Sequence, residues 1–68
     1  MTSFGTRVHE RRVELGITQT QLAAAVGVSA SHVYAIEAGR NNVSLPLAMA
    51  IASKLDVTLD WLTQGADR

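Results

Sequence analysis

The chain of 68 residues contains no cysteine, and its six aspartates and glutamates balance its six lysines and arginines. Without cysteine the protein can form neither a disulfide framework nor a thiolate zinc site, so its stability must come from packing, with or without a partner chain. Apolar residues nowhere run to the length that a membrane span needs, and residues 1–10 lack the apolar stretch of a signal peptide. These absences lead us to expect a cytoplasmic protein without a membrane partner.

Internal repeats, low-complexity tracts and linkers are also missing from the sequence. No segment alternates apolar and polar residues as a half-buried strand does, whereas helical spacing recurs along the chain. A chain of this length is long enough for one small core and too short for a second domain. The sequence therefore predicts a single all-α domain over residues 1–68.

Two short helices separated by a very tight turn are the clearest pattern in the chain. The first of the pair begins after Thr18, which has the spacing of a capping box with Gln21, and Gly27 closes it in a left-handed conformation. Ser29 can cap the next helix, which Gly39 ends. Because so few residues separate the two helices, they must cross steeply, as in the helix-turn-helix unit whose second helix enters the DNA major groove.

Three further helices flank this pair. The first helix of the chain ends at Gly16 and carries a stripe of apolar residues with one arginine among them: Phe4, Val8, Arg12 and Leu15. Ser44 can cap a fourth helix, whose apolar face consists of Ala48, Ile51, Ala52 and Leu55. Thr58 can cap a short fifth helix, which Gly65 should close.

The neutral total charge counts mildly against binding to nucleic acid, because phosphate contacts supply most of the non-specific affinity. The distribution of charge matters more than the sum. The arginines that fall near the ends of the predicted DNA-binding face are Arg7, Arg11 and Arg40. The acidic residues Asp56, Asp60 and Asp67 collect instead in the C-terminal quarter, and a neutral total charge can hide such a dipolar distribution.

The residues resemble the Cro and phage-repressor type of helix-turn-helix family, also called lambda-repressor-like, over about residues 4–64. The matching segments are Leu15-Gly16-Ile17-Thr18-Gln19, Leu22-Ala23, Val26-Gly27-Val28-Ser29, Ile36-Glu37-Ala38-Gly39-Arg40 and Leu55-Asp56-Val57-Thr58-Leu59-Asp60-Trp61-Leu62. The resemblance implies a compact five-helix bundle in which the second and third helices bind DNA. It also implies a dimeric transcription regulator.

The outward side of the third helix holds the residues expected to meet DNA bases, which are Ala30, Ser31, Tyr34 and Ala35. Val33 and Ile36 take the inward side, so Ser31, His32 and Tyr34 should face outward. Ser31 can bond to a base edge or to a phosphate. The two alanines, which stand where relatives commonly carry long polar side chains, can touch a thymine methyl. Tyr34 has an alternative position against the protein surface with only its hydroxyl in water.

Phosphate contacts are expected from the starts of both helices and from the loop after the third: Thr18, Gln19, Ser29, His32, Arg40, Asn41 and Asn42. Gln19 should lie at an exposed helix N-terminus, where free amides and the helix dipole favour an anion, and the resemblance makes it a phosphate-binding position. The polar loop can reach the sugar-phosphate backbone, although its composition also suits a plain turn. For His32, simple solvation is the alternative.

Arg12 lies on the apolar stripe of the first helix, and the resemblance gives Glu37 as the acidic residue that pairs with an arginine at this place. We expect a partly buried ion pair between them. In the alternative, Arg12 extends to solvent and reaches phosphate alone.

A homodimer is expected because one short recognition helix touches only a few base pairs, so a selective regulator needs two half-sites. The C-terminal quarter is the expected dimer surface, where Leu59 and Trp61, together with Leu47, offer more apolar area than a small core can hide. Trp61 has an equally good alternative place in the core.

The sequence therefore favours a transcriptional regulator, most simply a repressor, that binds a two-fold double-stranded DNA operator as a homodimer. The alternative is a protein-interaction module on the same scaffold, such as an antitoxin bound to a toxin. An enzyme is not expected, because the candidate nucleophiles crowd one helix and the two histidines lack metal-ligand spacing. No metal, cofactor or small-molecule ligand is expected either.

Overall fold

The computed structural model describes residues 3–40 and 43–63, so the predictions for Asn41, Asn42 and Gly65 lie outside the described residues. Within those ranges the chain forms five α-helices and no strand: α1 Phe4–Glu14, α2 Gln19–Val26, α3 Ala30–Glu37, α4 Leu45–Leu55 and α5 Leu59–Thr63. The all-α architecture with five helices is therefore confirmed.

Short polar side chains start the helices at the predicted positions. The Thr18 hydroxyl accepts from the backbone amide of Gln21 at 3.0 Å, and the Gln21 side-chain oxygen accepts from the amide of Thr18 at 2.9 Å. These two bonds complete the capping box before α2. Three further hydroxyls each accept from the backbone amide three residues later, and they belong to Ser29, Ser44 and Thr58. The predicted starts of α2, α3, α4 and α5 are thus confirmed.

The ends of the helices agree less closely with the sequence patterns. Gly27, with φ 81°, closes α2 as predicted. Asp56 closes α4 in the same left-handed region, with φ 57°, a conformation that aspartate tolerates better than most residues. Leu15, expected on the apolar stripe of α1, instead follows the helix as its C-cap and remains 40% exposed. The prediction for Leu15 was wrong because α1 ends before the stripe reaches it.

One apolar core lies between the five helices, and every helix contributes to it. The largest fully buried side chains are Leu22, Ile36, Ile51, Leu55, Leu62, Val8 and Val33. Their helical spacing turns one side of each element inward. The core therefore fixes which side of α3 is left for solvent.

α1 crosses the C-terminal end of α3 at a place where no side chain fits. A Cβ atom on Gly5 would lie 2.8 Å from the carbonyl oxygen of Glu37 and would collide with that of Ile36. Only glycine allows two backbones to approach so closely. This crossing brings the middle of α1 beside the last residues of α3.

Two arginines expected near the DNA-binding face are held elsewhere. The Arg7 guanidinium lies over the ring of Trp61, 4.7 Å from its centroid. Arg11 donates from Nε to the carbonyl oxygen of Leu55, the last residue of α4, at 2.9 Å. A cation at a helix C-terminus is favourable because carbonyl groups there lack helical partners. Arg7 and Arg11 therefore fasten α1 to α5 and α4, which corrects their assignment to the DNA-binding face.

Candidate nucleic-acid interface

α2 and α3 form a compact pair joined by a short turn. The backbone amides of Gly27 and Val28 both donate to the carbonyl oxygen of Ala23, at 2.9 and 3.0 Å. A left-handed glycine permits this closure. Val33 and Ile36 then bury the inner side of α3, so the opposite side of that helix is the one presented to a partner.

The outer side of α3 presents the exposed side chains of Ser31 and Tyr34. Tyr34 is 54% exposed, and the guanidinium of Arg40 lies over its ring, 6.0 Å from the centroid. Ala30 and Ala35 are half-buried, and Ala30 also packs against the core. Among the residues expected to meet bases, Ser31 and Tyr34 are therefore the accessible ones.

His32 is less accessible than its sequence position suggested. The residue is half-buried, and its Nε2 atom is enclosed without a hydrogen-bond partner among the residues that the structure describes. Position 32 lies four residues before Ile36, so it belongs to the flank of the buried side of α3. The expectation that His32 faces outward was wrong, and a contact from Nε2 to phosphate requires the ring to turn.

The other described residues of the predicted phosphate set lie around the ends of α2 and α3. The hydroxyls of Thr18 and Ser29 cap the two helices, and both residues are exposed. Gln19 is half-buried as the first residue of α2, and Arg40 is exposed beyond the end of α3. Free backbone amides at a helix start favour an anion, so this end of α2 is electrostatically suited to phosphate.

Glu37, the last residue of α3, accepts the hydrogen bonds at the centre of a polar cluster. Arg12 donates to it twice, from Nε to Oε2 at 2.7 Å and from Nη2 to Oε1 at 3.1 Å. Gln19 Nε2 donates to the same Oε1 at 3.1 Å, and His9 Nδ1 lies 2.9 Å from it. These four residues, which we call the Glu37 cluster, connect α1, α2 and α3.

The ion pair expected between Arg12 and Glu37 is present and buried, since the two side chains are 11% and 5% exposed. Arg12 also donates from Nη1 to the carbonyl oxygen of Ile17 at 2.8 Å. A guanidinium that makes two parallel bonds to a carboxylate is fixed in orientation as well as attracted. The alternative, in which Arg12 extends into solvent, disagrees with this burial.

The surroundings of Glu37 keep it ionised. Burial by itself raises the pKa of Glu37, but the hydrogen bonds from Arg12, His9 and Gln19 outweigh burial and hold the pKa below its usual range. Because the pKa is lower in the folded state, the carboxylate stabilises the fold fully above about pH 4.3, the usual glutamate value. That stabilisation is lost as the pH falls through the lowered pKa.

An open hollow of about 210 Å³ lies beside the Glu37 cluster and is lined by His9, Gln19, Tyr34, Glu37 and Ala38. The hollow is lined both by Gln19, which is expected to bind phosphate, and by Tyr34, which is expected to contact bases. His9 is the lining residue from α1, and it is not among the site residues predicted from the sequence. Its signal in the sequence is its position three residues before Arg12, which puts both side chains on one side of α1.

Comparison with known proteins identifies the family to which this architecture belongs. A family model described as helix-turn-helix matches residues 8–62. The chain belongs to the helix-turn-helix family of Cro and phage-repressor type. Members of this family are DNA-binding transcription regulators and are not enzymes.

Two curated relatives of this helix-turn-helix protein cover most of the chain. An uncharacterized HTH-type transcriptional regulator of Methanothermobacter thermautotrophicus is 48% identical over 50 residues, which are 74% of this chain and 72% of that protein. An uncharacterized transcriptional regulator in the ATPase CF(0) region of Rhodospirillum rubrum is 36% identical over 64 residues. That match covers 94% of this chain and spans 59% of the length of the Rhodospirillum rubrum protein.

Solved structures of similar architecture include two complexes with DNA. The P22 c2 repressor bound to a synthetic operator has a TM-score of 0.90 and 28% identity, covering 96% of this chain and 98% of that one. The biofilm regulator SinR in complex with DNA has a TM-score of 0.81 and 30% identity, covering 87% and 95%. The restriction-modification controller protein C.AhdI from Aeromonas hydrophila has a TM-score of 0.84 and 36% identity, covering 90% and 92%.

The residues expected at a dimer surface of this helix-turn-helix protein are only partly accessible. Leu47 and Trp61 are half-buried and pack against the core, and Leu59 is also half-buried. α4 carries two more exposed apolar side chains one turn apart, since Leu45 is 61% and Met49 is 56% exposed. The most exposed apolar area in this part of the molecule is therefore on α4.

Within residues 3–40 and 43–63, no group of three or more histidine, cysteine, aspartate or glutamate side chains is arranged to hold a metal ion. The helices in the same ranges are all too short or too polar to cross a membrane.

Proposed function

We propose that the chain is a sequence-specific repressor that binds a two-fold double-stranded DNA operator as a homodimer. The observation that carries the proposal is the exposed side of α3, where Ser31 and Tyr34 lie clear of the core and Tyr34 lines the same hollow as Gln19, the first residue of α2. The similarity to the P22 c2 repressor bound to operator supports it. Since such a regulator acts where the DNA is, we assign it to the cytoplasm.

Sequence reading is assigned to α3 lying in the major groove. The Ser31 and Tyr34 hydroxyls can donate to or accept from base edges, whereas Ala30 and Ala35 can only touch a thymine methyl at close approach. Because the inner side of α3 is buried, only the opposite side of the helix can face the groove. Two hydroxyls and two methyl groups can contact only a few base pairs, so the half-site should be short. Each correct base pair should contribute about 1 to 3 kcal/mol of binding free energy.

Phosphate binding is assigned to the starts of α2 and α3 and to the segment that follows α3, through Thr18, Gln19, Ser29, Arg40, Asn41 and Asn42, and through His32 once its ring has turned. Gln19 is the central member, because it lies at the start of α2 and its amide is already oriented by Glu37. Arg40 supplies the full positive charge, and attraction between its guanidinium and the Tyr34 ring favours a position of that charge beside Tyr34. These contacts fix the position of α3 on the duplex rather than its sequence preference.

Two copies are proposed to bind together, because two half-sites about one helical turn apart supply the selectivity that one lacks. The proposed dimer surface comprises Leu47, Leu59 and Trp61, and we extend it to the exposed Leu45 and Met49 of α4. Leu45 and Met49 are already exposed, so a dimer interface that includes them buries apolar area while the half-buried residues keep their places in each protomer.

A salt titration tests the proposal. Binding to a random duplex should fall steeply between about 50 and 200 mM salt, because each phosphate contact releases counterions. Arg40→Ala should flatten the dependence of log affinity on log salt by about one unit, whereas Lys54→Ala, a basic residue of α4 outside the proposed contacts, should leave the slope unchanged. Analytical ultracentrifugation of the same samples measures whether the protein is a dimer.

Absence of duplex binding at both salt concentrations would contradict the proposal. That result would favour the protein-interaction module, for example an antitoxin bound to a toxin. Binding with the same salt slope in the parent and in Arg40→Ala would keep the DNA function and remove Arg40 from the phosphate contacts.

A further inference from the structure

His9 lies between a hydrogen-bond donor and an acceptor that compete for one ring atom. Its Nδ1 is 2.9 Å from Glu37 Oε1 and 3.1 Å from Arg12 Nη2. A carboxylate can only accept and a guanidinium can only donate, so the proton on Nδ1 decides which contact is a hydrogen bond. Arg12 Nη2 already has an acceptor in Glu37 Oε1 at 3.1 Å, whereas an Nδ1 without a proton would place its lone pair against a carboxylate oxygen, so we assign the proton to Nδ1 as a donor to Glu37.

A proton on Nδ1 leaves Nε2 as the ring atom available to a partner. The side chain is 55% exposed, and Nε2 makes no hydrogen bond with any residue in the described ranges. The ring also lines the hollow that contains Gln19 and Tyr34. In the neutral ring Nε2 is an acceptor, which a phosphate oxygen repels, whereas a second proton turns it into a charged donor.

We infer that His9 is a phosphate-binding residue of the DNA interface, donating from Nε2 to a backbone phosphate of double-stranded DNA when its ring is protonated. This inference rests on the proposed function and adds a contact from α1, outside the helix-turn-helix pair. DNA binding and protonation of the ring then favour each other, so affinity rises as the pH falls.

The charged groups around the ring come from two helices. On α1, Arg12 opposes a positive ring, whereas Glu10 and Glu14, which line a second hollow with His9, favour it. From α3, the Glu37 carboxylate favours the positive ring and Tyr34 contributes its phenol group. α2 contributes the uncharged Gln19. Glu37 remains ionised at mildly acidic pH, because its pKa is lowered.

The test compares variants in a His32→Gln background, where His9 is the remaining one of the two histidines. Affinity for a random duplex is measured at a fixed salt concentration of about 50 mM, at about pH 8 and about pH 5.5. His32→Gln alone should bind roughly tenfold more tightly at the lower pH, the lower end of what one charged hydrogen bond contributes. Adding His9→Gln should abolish that difference, and adding His9→Lys should give tight binding at both pH values.

Thermal melts establish that each variant is folded. Equal tightening at low pH with and without His9→Gln would overturn the inference, and so would a loss in His9→Gln that is the same at both pH values. The latter would mean that His9 only orients Glu37. If the His9→Gln variant does not fold, the His9→Lys variant provides the test. DNA binding by His9→Lys that still changes tenfold between the two pH values would contradict a role for His9. No duplex binding by any variant would reject the proposed function itself and this inference with it.

Discussion

Two arginines of α1 hold this helix to its neighbours by different kinds of contact. Arg12 is buried and donates to Glu37 and to the carbonyl of Ile17 at distances of 2.7 to 3.1 Å. Arg7 lies over the Trp61 ring at 4.7 Å, and its Nε is enclosed without a partner among the described residues. Directional bonds fix geometry, whereas a cation over a ring can shift across it. α1 is therefore held more strictly at Arg12, where it meets α3 and its proposed reading residues, than at Arg7, where it meets α5.

The removal of Arg12 should have the largest effect. Arg12→Ala leaves the buried Glu37 carboxylate without its ion pair, which typically costs about 3 to 5 kcal/mol. A small domain has about 5 kcal/mol or little more in total, so this variant should be largely unfolded near body temperature. Thermal and urea melts measure the loss.

The double variant Arg12→Met with Glu37→Leu is the matched control for that prediction. It removes both charges and keeps the volume, so much of the lost stability should return, and the two changes should not add. Melting of Arg12→Ala close to the parent would show that the pair contributes little, and would weaken the distinction between the two arginines.

Gly5→Ala should have the second largest effect, because it acts where α1 crosses α3. The new Cβ would collide with the carbonyl oxygen of Ile36, and the backbone there cannot easily move because Ile36 is buried and Glu37 is held by the cluster. We expect a loss of about 2 to 3 kcal/mol in urea melts, after the usual gain of alanine over glycine in a helix. Glu10→Ala, an exposed position on the same helix, is the control and should change little. A stable Gly5→Ala would mean that α1 can move away from α3.

Arg7→Met should have the smallest effect on stability. It removes a cation over Trp61, a contact of roughly 0.5 to 2 kcal/mol, and also removes the enclosed Nε that has no partner among the described residues. The methionine keeps apolar contact with the ring, so the net loss in urea melts should be below about 1 kcal/mol. Lys54→Met, an exposed basic position, serves as the control. A loss as large as that of Arg12→Ala would remove the contrast between the two contacts.

The helices and their starts could be predicted because their causes are local. A side-chain hydroxyl can accept from the backbone amide three residues later without any contact from distant parts of the chain. Such caps are formed by Thr18, Ser29, Ser44 and Thr58. The pairing of Arg12 with Glu37 was available only through the family resemblance. Their separation of 25 residues carries no local signal.

The contacts that the sequence did not reveal join distant parts of the chain. His9 meets Glu37 across 28 residues, and Arg11 meets Leu55 across 44. A charged residue on a helix is expected to face solvent or DNA when only the sequence is known. The expectations for Arg7 and Arg11 were wrong because their partners, Trp61 and Leu55, are distant in the sequence. The site residues proposed on α3 had a stronger signal, since Val33 and Ile36 fix its inner side by spacing alone.

The central claim is that α3 reads DNA bases with the side that the core leaves exposed. It is tested most directly by the affinity of Ser31→Ala and Tyr34→Phe for a selected operator and for random duplex. Tyr34→Phe removes only the hydroxyl and keeps the ring beneath Arg40. Each variant should lose about 1 to 3 kcal/mol on the operator and almost nothing on random duplex. Equal losses on both DNAs would contradict base reading by these residues.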